Sequence, residues 1–249
     1  MGELLYGIHP LCEALSAGRR NVKKVYVSKG RGSKGIQELL GGARDRGIPI
    51  EFKAPEYFRS RLADCVHQGV AAEVEKLPLA DEKMILGRAE AEGALPLILA
   101  LDGVEDPQNL GSLVRTALGM GFHGVVLPKA RAAPLSPAVS KASAGAMEHT
   151  LFTRVPNLVA ALQRLKKEGL WVVGAHGGSA QTVDRVDFNM GLVLVIGGEG
   201  RGIRPLVRKT CDYLVSVPQK KTVDSLNAAV AGAIVMYEII RQRQHREAN

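Results

Sequence analysis

The sequence predicts an α/β fold, in which a large carboxyl-terminal domain built on a parallel sheet follows a smaller α/β domain. Two observations predict it. Short apolar segments alternate with helical patterns along most of the chain, which is typical of parallel strands covered by helices on both faces. Aromatic residues make up only 4% of the chain against 46% hydrophobic residues, so the core is mostly aliphatic, as in buried parallel strands.

Residues 1–78 are predicted to form the smaller domain. The pattern indicates, in order, a helix at 8–18 that ends at Gly18, a strand at 24–28, a helix at 35–47, and strands at 48–52 and 69–74. Residues 79–94 are charged and alanine-rich, which predicts a linker with some helical character.

Residues 95–249 are predicted to form the larger domain. The strands are expected at 97–102, 124–128, 151–155, 170–178, 192–198 and 213–218, and the helices at 110–121, 136–146, 157–169 and 226–243. No internal repeat interrupts this alternation, so a single parallel sheet accounts for the whole segment.

The chain is basic, with a formal net charge of +8 and an isoelectric point near 9.5. This balance favours a polyanionic partner, such as a nucleic acid or an anionic membrane, although a soluble protein with surplus lysine would look the same. One stretch without any acid carries much of the excess. Its candidates for phosphate contact are Arg19, Arg20, Lys23, Lys29, Arg31 and Lys34. A solvated basic loop is the equally weighted alternative.

No apolar run reaches the length of a membrane helix, and the first ten residues lack the apolar core of a signal peptide. Cys12, Cys65 and Cys211 are widely spaced and form no Cys-x-x-Cys pair. We therefore expect free thiols in a reducing compartment, which indicates a cytoplasmic protein without a metal site.

Three polar clusters fall at the ends of predicted strands, where open α/β sheets bind ligands. The first is DPQNLGSLVRTA, residues 106–117. Asn109 is placed to cap the helix that follows. Arg115 falls where the inner face of that helix is expected, so it predicts either a partly buried salt bridge or an arginine that binds phosphate or takes part in catalysis.

The second cluster is VIGGEGRGIRP, residues 195–205. It departs from the glycine patterns of dinucleotide-binding and phosphate-binding loops, and Glu199 at its centre would repel a phosphate. The glycines still permit close backbone approach. The segment is therefore either a tight turn with an exposed acid or a loop that reads a phosphate-free ligand with its backbone.

The third cluster is VPQKKTVDSLNAAVAGA, residues 217–233. Asp224 or Ser225 is expected to cap the final helix, and Asn227 to lie in its first turn. Capping explains one of these polar residues but not Ser225 and Asn227 together. The small residues that follow favour close packing of the helix, either against the sheet or across a dimer interface.

Taken in order, the three clusters resemble the motifs of the SPOUT superfamily of SpoU/TrmH type, which are RNA ribose 2′-O-methyltransferases. The resemblance covers residues 95–249 and includes KASAGAMEH at 141–149. The opening LYGIHPLCEAL and its basic α/β unit, over residues 4–76, are similar to the small RNA-binding domain of the rRNA-modifying branch. That domain resembles ribosomal proteins that bind kink-turns.

This resemblance implies a deep carboxyl-terminal trefoil knot, an obligate homodimer, and S-adenosylmethionine bound in a bent form within the knot. The positions that match residues tied to activity are Asn109, Arg115, Glu199, Ser225 and Asn227. The positions expected around the cofactor are Gly197, Gly198, Gly202, Val217 and Leu226, with Gly174 on the adenosine side. Lys220 and Lys221 replace a glycine-containing turn that is common in the family, which bears on the target nucleotide and could add a phosphate contact.

The reaction that the resemblance implies is attack of a ribose 2′-hydroxyl on the cofactor's methyl group. Because arginine is effectively never deprotonated, we expect Arg115 to clamp a phosphate of the target and orient the hydroxyl rather than act as a base. Glu199 and Asn109 are then expected to hold Arg115 or the ribose.

The separate amino-terminal domain favours large-subunit 23S rRNA, at a guanosine, over tRNA as the substrate, by analogy alone. The alternatives are a tRNA ribose methyltransferase and a non-catalytic RNA-binding factor of ribosome assembly. A nucleotide-dependent oxidoreductase is disfavoured, because LDGVEDPQNLG carries acids where the dinucleotide phosphates would lie.

Overall fold

A computed structural model describes residues 2–30, 32–220 and 225–247. The chain divides into two compact units. The first comprises Met1–Pro78 and Pro134–His149, and the second comprises Leu79–Ala133 and Thr150–Asn249. This division differs from the predicted one, since the chain leaves the second unit after Ala133 and returns to it at Thr150.

The described elements follow one another along the chain with these bounds: β1 (Glu3–Tyr6), α1 (Ile8–Ala17), β2 (Val22–Ser28), α2 (Lys34–Asp45), β3 (Ile50–Lys53), α3 (Pro55–Arg61), β4 (Val70–Val74), α4 (Glu82–Ala91), β5 (Leu97–Asp102), α5 (Pro107–Gly119), β6 (Gly124–Pro128), α6 (Pro137–Ala142), α7 (Ala146–His149), β7 (Phe152–Val155), α8 (Leu158–Lys167), β8 (Trp171–Ala175), β9 (Leu192–Gly197), α9 (Pro205–Thr210), β10 (Tyr213–Val215) and α10 (Ala228–Glu247). No helix among the described residues is both long enough and apolar enough to cross a membrane.

The first unit is built on a four-stranded mixed sheet in the order β1-β4-β2-β3. Helices α1 and α2 bury their apolar faces, including Leu11, Leu15 and Leu39, against it. Gly18 ends α1 in the left-handed conformation, with φ of 61°, as its position predicts. Strand β1 and helix α3 were not predicted, because each is too short to show a period.

Residues 136–146 were predicted as one helix, but the structure forms two short ones, α6 and α7. Ala144 and Gly145 between them have positive φ angles of 51° and 89°, which an α-helix cannot contain. A side chain on Gly145 would lie 2.5 Å from Cγ of Glu13, so this position needs glycine for space as well as for conformation.

The second unit is built on a six-stranded sheet in the order β10-β8-β9-β5-β6-β7, and every pairing in it is parallel. This confirms the predicted class of fold. The predicted linker at 79–94 contains α4, whose Ile85 is fully buried in the core of this unit. Residues 79–94 therefore include a core helix.

The central pair, β5 and β9, runs in register from Leu97 beside Leu192 to Asp102 beside Gly197. Strands continue from β5 toward β6 and β7 on one side, and from β9 toward β8 and β10 on the other. The strand order therefore changes direction between β5 and β9. In open α/β sheets, ligands usually bind at the carboxyl ends of the strands at such a point.

Candidate functional site

The loop after β9 is held tightly against the loop after β5. The backbone N–H of Gly198 donates to the carbonyl of Asp102 at 2.9 Å. A Cβ atom on Gly198 would lie 1.9 Å from the carbonyl oxygen of Gly103, and one on Gly197 would lie 2.2 Å from the backbone of Gly202. The glycines at 197 and 198 are therefore required for close backbone approach.

An ion pair fixes the far end of the same loop. The carboxylate of Asp102, only 1% exposed, accepts hydrogen bonds from the backbone N–H of Arg204 at 2.8 Å and from its Nε at 2.7 Å. Neither residue was singled out from the sequence. An acid that ends an otherwise apolar strand, as in LILALD, was the available signal.

Asn109, Glu199 and Asn227 meet in one hydrogen-bond network, although 118 positions separate the two asparagines. The amide of Asn109 donates to Oε1 of Glu199 at 2.9 Å, and the amide of Asn227 donates to the same oxygen at 2.6 Å. The Asn227 amide also lies 3.0 Å from Oδ1 of Asn109. Three predicted residues from three separate motifs are therefore brought together.

The capping roles differ from those predicted. Asp106, and not Asn109, caps α5, because its carboxylate accepts from the backbone N–H of Asn109 at 2.9 Å. Asn227 precedes the first turn of α10 and caps it, since its Oδ1 accepts from the backbone N–H of Ala229 at 2.9 Å and of Val230 at 3.2 Å. Of the two residues predicted to cap this helix, Ser225 does not hold the capping position and Asp224 lies outside the described residues.

One side chain thus both begins a helix and joins the polar network. Oδ1 of Asn227 serves the helix, which leaves its Nδ2 to donate to Glu199. Oε2 of Glu199 has no hydrogen bond to any described residue, and the side chain is exposed. The network therefore presents a fixed carboxylate oxygen that is free to accept a hydrogen bond from a ligand.

A cavity of about 450 Å³ lies on one side of Glu199. Residues from four segments of the chain line it: 175–178, 196–202, three residues between 215 and 219, and five between 225 and 231. Among the predicted residues, it brings together Gly197, Gly198, Glu199, Gly202, Val217, Ser225, Leu226 and Asn227. It is within the size range of small-molecule sites and is lined largely by small residues, which suits a ligand read by backbone groups.

Gly174 is not among the residues that line this cavity. It lies within β8, where a Cβ atom would be 2.9 Å from Sγ of Cys211 and 3.0 Å from Cδ1 of Ile203. Burial raises the pKa of the Cys211 thiol to about 12. The glycine lies against these two side chains, while Ala175 and His176, which follow it, line the cavity.

Arg115 does not lie on the inner face of α5. That face consists of Leu110, Leu113, Val114 and Ala117, all buried, whereas Arg115 is exposed. Within the part of the chain that the structure describes, its side chain forms neither a salt bridge nor a hydrogen bond with Glu199 or Asn109. It lines neither cavity beside Glu199. The helical period was misassigned, so the residue falls on the solvent side.

The basic residues of the first unit differ in burial and in pairing. The side chain of Arg20 is fully buried and pairs with Glu148 at 2.8 Å and with Glu3 at 3.3 Å. Arg19 donates to the backbone carbonyl of Glu148 at 3.3 Å. The prediction that Arg20 binds phosphate is therefore corrected, because its charge is already neutralised inside the unit.

The other predicted cations of this unit differ in whether an acidic side chain lies close to them. Lys23 lies 3.3 Å from Glu75, and Lys34 lies 4.0 Å from Glu38. Lys29 is exposed and lines a cavity of about 470 Å³ together with Arg59 and His67, neither of which was singled out from the sequence. Arg31, also predicted, lies outside the described residues, as does Lys221.

Comparison with known proteins gives two family matches. Residues 96–237 match the SpoU rRNA Methylase family, and residues 4–80 match the family described as RNA 2′-O ribose methyltransferase substrate binding. The first match covers more than half of the chain. Residues 81–95 separate the two matches.

Similar proteins cover nearly the whole chain. A 23S rRNA (guanosine-2′-O-)-methyltransferase, RlmB, of Pseudomonas putida is 38% identical over 97% of each chain. A putative TrmH family tRNA/rRNA methyltransferase of Bacillus subtilis is 38% identical over 97% of this chain and 96% of its own. The crystal structure of the SpoU methyltransferase AviRb from Streptomyces viridochromogenes with AdoMet matches with a TM-score of 0.82 and 28% identity, over 97% of this chain and 90% of that one.

Proposed function

Because the chain belongs to the SpoU rRNA methylase family, we propose that it transfers the methyl group of S-adenosylmethionine to the ribose 2′-hydroxyl of a guanosine in 23S rRNA. The observation that carries this proposal is the network of Asn109, Glu199 and Asn227 at the mouth of the glycine-lined cavity. The choice of RNA rests on the named relative of Pseudomonas putida, which aligns along almost its whole length.

The cavity beside Glu199 fits S-adenosylmethionine. Its volume of about 450 Å³ suits a ligand of that size, and glycine, alanine and serine make up about half of its lining. Glu199 at its edge disfavours a phosphate but not a cation, and this cofactor carries a positive sulfonium and no phosphate. When bound, it supplies an activated methyl group; Gly197, Val217 and Leu226 are the residues proposed to surround it.

The residues of this chain act on the ribose. Glu199, held by two amide donors, keeps Oε2 free to accept a hydrogen bond from the 2′-hydroxyl. Such a bond orients the hydroxyl and makes its oxygen more nucleophilic. We assign Ser225, exposed at the same cavity, to contact with the substrate, and Arg115 to a phosphate of the target RNA.

A homodimer forms part of the proposal. Val230, Ile234 and Tyr237 are 49%, 38% and 58% exposed, and they recur along α10 at the spacing of one helical face. The small residue Gly232 is turned inward, because a Cβ atom there would meet Leu113 at 2.5 Å. A second copy of the chain would cover the exposed stripe. We further propose the trefoil knot and a cytoplasmic location, the latter consistent with three free cysteines.

In the first unit, we propose that RNA phosphates bind at the cavity lined by Lys29, Arg59 and His67, with Lys23 and Lys34 as outer contacts. This placement replaces the predicted contact by Arg20, whose charge is paired internally. The lining comes from the end of β2, the segment that follows it, helix α3 and the segment before β4.

Methyl transfer from tritiated S-adenosylmethionine tests the function. The purified protein is expected to label 23S rRNA at one ribose. The phosphodiester bond that follows this ribose should resist alkaline hydrolysis, because its 2′-hydroxyl is methylated. Labelling of tRNA alone would favour the second candidate, which rests on the tRNA/rRNA wording of the Bacillus subtilis relative. Absence of label in both RNAs, with the cofactor bound, would support a non-catalytic RNA-binding factor instead.

A further inference from the structure

A second cavity, of about 570 Å³, also has Glu199 in its lining. It is lined by residues 102–106, Asn109, Arg131, 198–199, 201–202, Arg204 and Ala228. The two cavities share Gly198, Glu199, Arg201, Gly202 and Ala228 as a common wall. Two ligands, one in each cavity, would therefore meet at the fixed carboxylate of Glu199.

Arg131 enters this second cavity from the loop after β6. Its φ of 57° lies in the left-handed region, which costs a residue other than glycine about 1 kcal/mol or more. The loop is anchored on both sides of it, because the backbone N–H of Lys129 donates to Val155 at 2.8 Å and that of Ala133 to Val104 at 2.9 Å. Such strain persists where the surroundings impose it, often at binding sites.

Among the described residues, two arginines of this lining are available to a ligand, and of these Arg131 lines the second cavity alone whereas Arg201 lines both. Arg204 is neutralised by Asp102, and Asp106 caps α5, so neither is free for a ligand. Arg131 and Arg201 form no ion pair or hydrogen bond through their side chains with any residue that the structure describes. Glu105 and Glu199 are the other charged groups of the lining, and an anionic ligand would keep to the side away from them.

We propose that this second cavity holds the target nucleotide of the RNA and that Arg131 binds its backbone phosphate. The inference deepens the proposed function and rests on it. The ribose would then lie at the shared wall, where Oε2 of Glu199 accepts from the 2′-hydroxyl, and the phosphate lies toward Arg131. A planar guanidinium suits this task, because it offers paired donors to phosphate oxygens.

The test compares Arg131→Gly and Arg131→Lys with Lys129→Ala, on a 23S rRNA transcript. Glycine adopts the φ of this position without strain, so the first variant removes the side chain and not the fold. Lys129 is exposed, lies in the same loop and lines neither cavity, so its variant is a charge-matched control. The readouts are KM for the transcript, kcat, and the dissociation constant of S-adenosylmethionine from calorimetry.

Arg131→Gly is expected to raise KM for the transcript about tenfold to hundredfold, the range for loss of a charge-assisted hydrogen bond, with cofactor affinity unchanged. Arg131→Lys should raise KM for the transcript less than Arg131→Gly does, and Lys129→Ala should raise it less than about twofold. The dependence of RNA binding on salt should also become shallower by about one unit in Arg131→Gly.

Two results would overturn the inference while leaving the proposed function intact. In the first, wild-type protein methylates the transcript, but Arg131→Gly behaves like Lys129→Ala. In the second, Arg131→Gly loses cofactor binding and Arg131→Lys shows a normal KM, which would assign a structural role. If wild-type protein binds the cofactor and labels no RNA, the proposed function itself fails.

Discussion

The loops of the second unit and the basic stretch of the first unit contrast in what happens to their charged and polar residues. In the second unit, Asn109, Glu199 and Asn227 come from distant motifs and converge on one carboxylate oxygen. In the first unit, basic residues that are close in sequence lie in different environments. Arg20 is buried in an ion pair with Glu148, while Lys29 is exposed at a cavity.

The difference shows that the order of motifs along the chain predicts which residues share a site, whereas the closeness of basic residues in sequence does not. The three motifs were meaningful because each follows a strand of one parallel sheet, and the carboxyl ends of such strands share an edge. The basic stretch runs through a helix end, a strand and a loop, so successive side chains point in different directions. A local excess of charge therefore does not define a surface.

The strongest test of this contrast is Arg20→Met. Removal of one partner leaves Glu148 buried without its cation, and we expect a loss of about 3–5 kcal/mol in the free energy of unfolding, measured with urea. Lys23→Met, which breaks an exposed pair, should cost less than about 1 kcal/mol. The double variant Arg20→Met with Glu148→Leu should regain most of the loss. A stable Arg20→Met protein with weakened RNA binding would instead restore Arg20 as an RNA contact.

The second test addresses the network of Asn109, Glu199 and Asn227 in the second unit. Glu199→Gln keeps an oxygen for the two asparagine amides but replaces the free acceptor with an NH₂ donor. We expect kcat to fall about a hundredfold, with the melting temperature and cofactor affinity nearly unchanged. Glu168→Gln, at the exposed end of α8, is the control. Unchanged kcat in Glu199→Gln would show that its carboxylate does not act on the ribose.

A third test asks whether Gly174 contacts the cofactor or serves packing. Gly174→Ala would place a methyl group 2.9 Å from Cys211 and Leu214, and overpacking of this kind costs about 1–3 kcal/mol. Chemical denaturation should show that loss. Calorimetry should show unchanged cofactor affinity in the folded fraction. A large drop in affinity at normal stability would return Gly174 to the cofactor site.

The smallest expected effect concerns Lys29. Lys29→Ala should weaken binding of a 23S rRNA transcript about threefold to tenfold and reduce the slope of log affinity against log salt by about one. Lys76→Ala, in the same unit and outside this cavity, supplies the matched control for lost charge. Equal salt slopes for the two variants would remove the Lys29 cavity from the RNA-binding surface.

Much of the fold could be predicted because its signals are local. The apolar strands, Gly18 at the end of α1 and the parallel class of the large sheet all depend on residues within a short window. The break between α6 and α7 could not be predicted, since it depends on how close Gly145 comes to Glu13, a residue 132 positions away. The same is true of Arg131, whose importance lies in the cavity it faces.

By itself, the sequence determined the class of fold, the order of the three motifs and the family they resemble, because these depend on composition, period and residue identity. Only the tertiary structure decided which side chains share a site. It turned Arg115 to the solvent, buried Arg20 against Glu148, made Asn227 both a helix cap and a donor to Glu199, and set Arg131 beside the second cavity. Burial and pairing depend on distant segments of the chain, so no local pattern could have decided them.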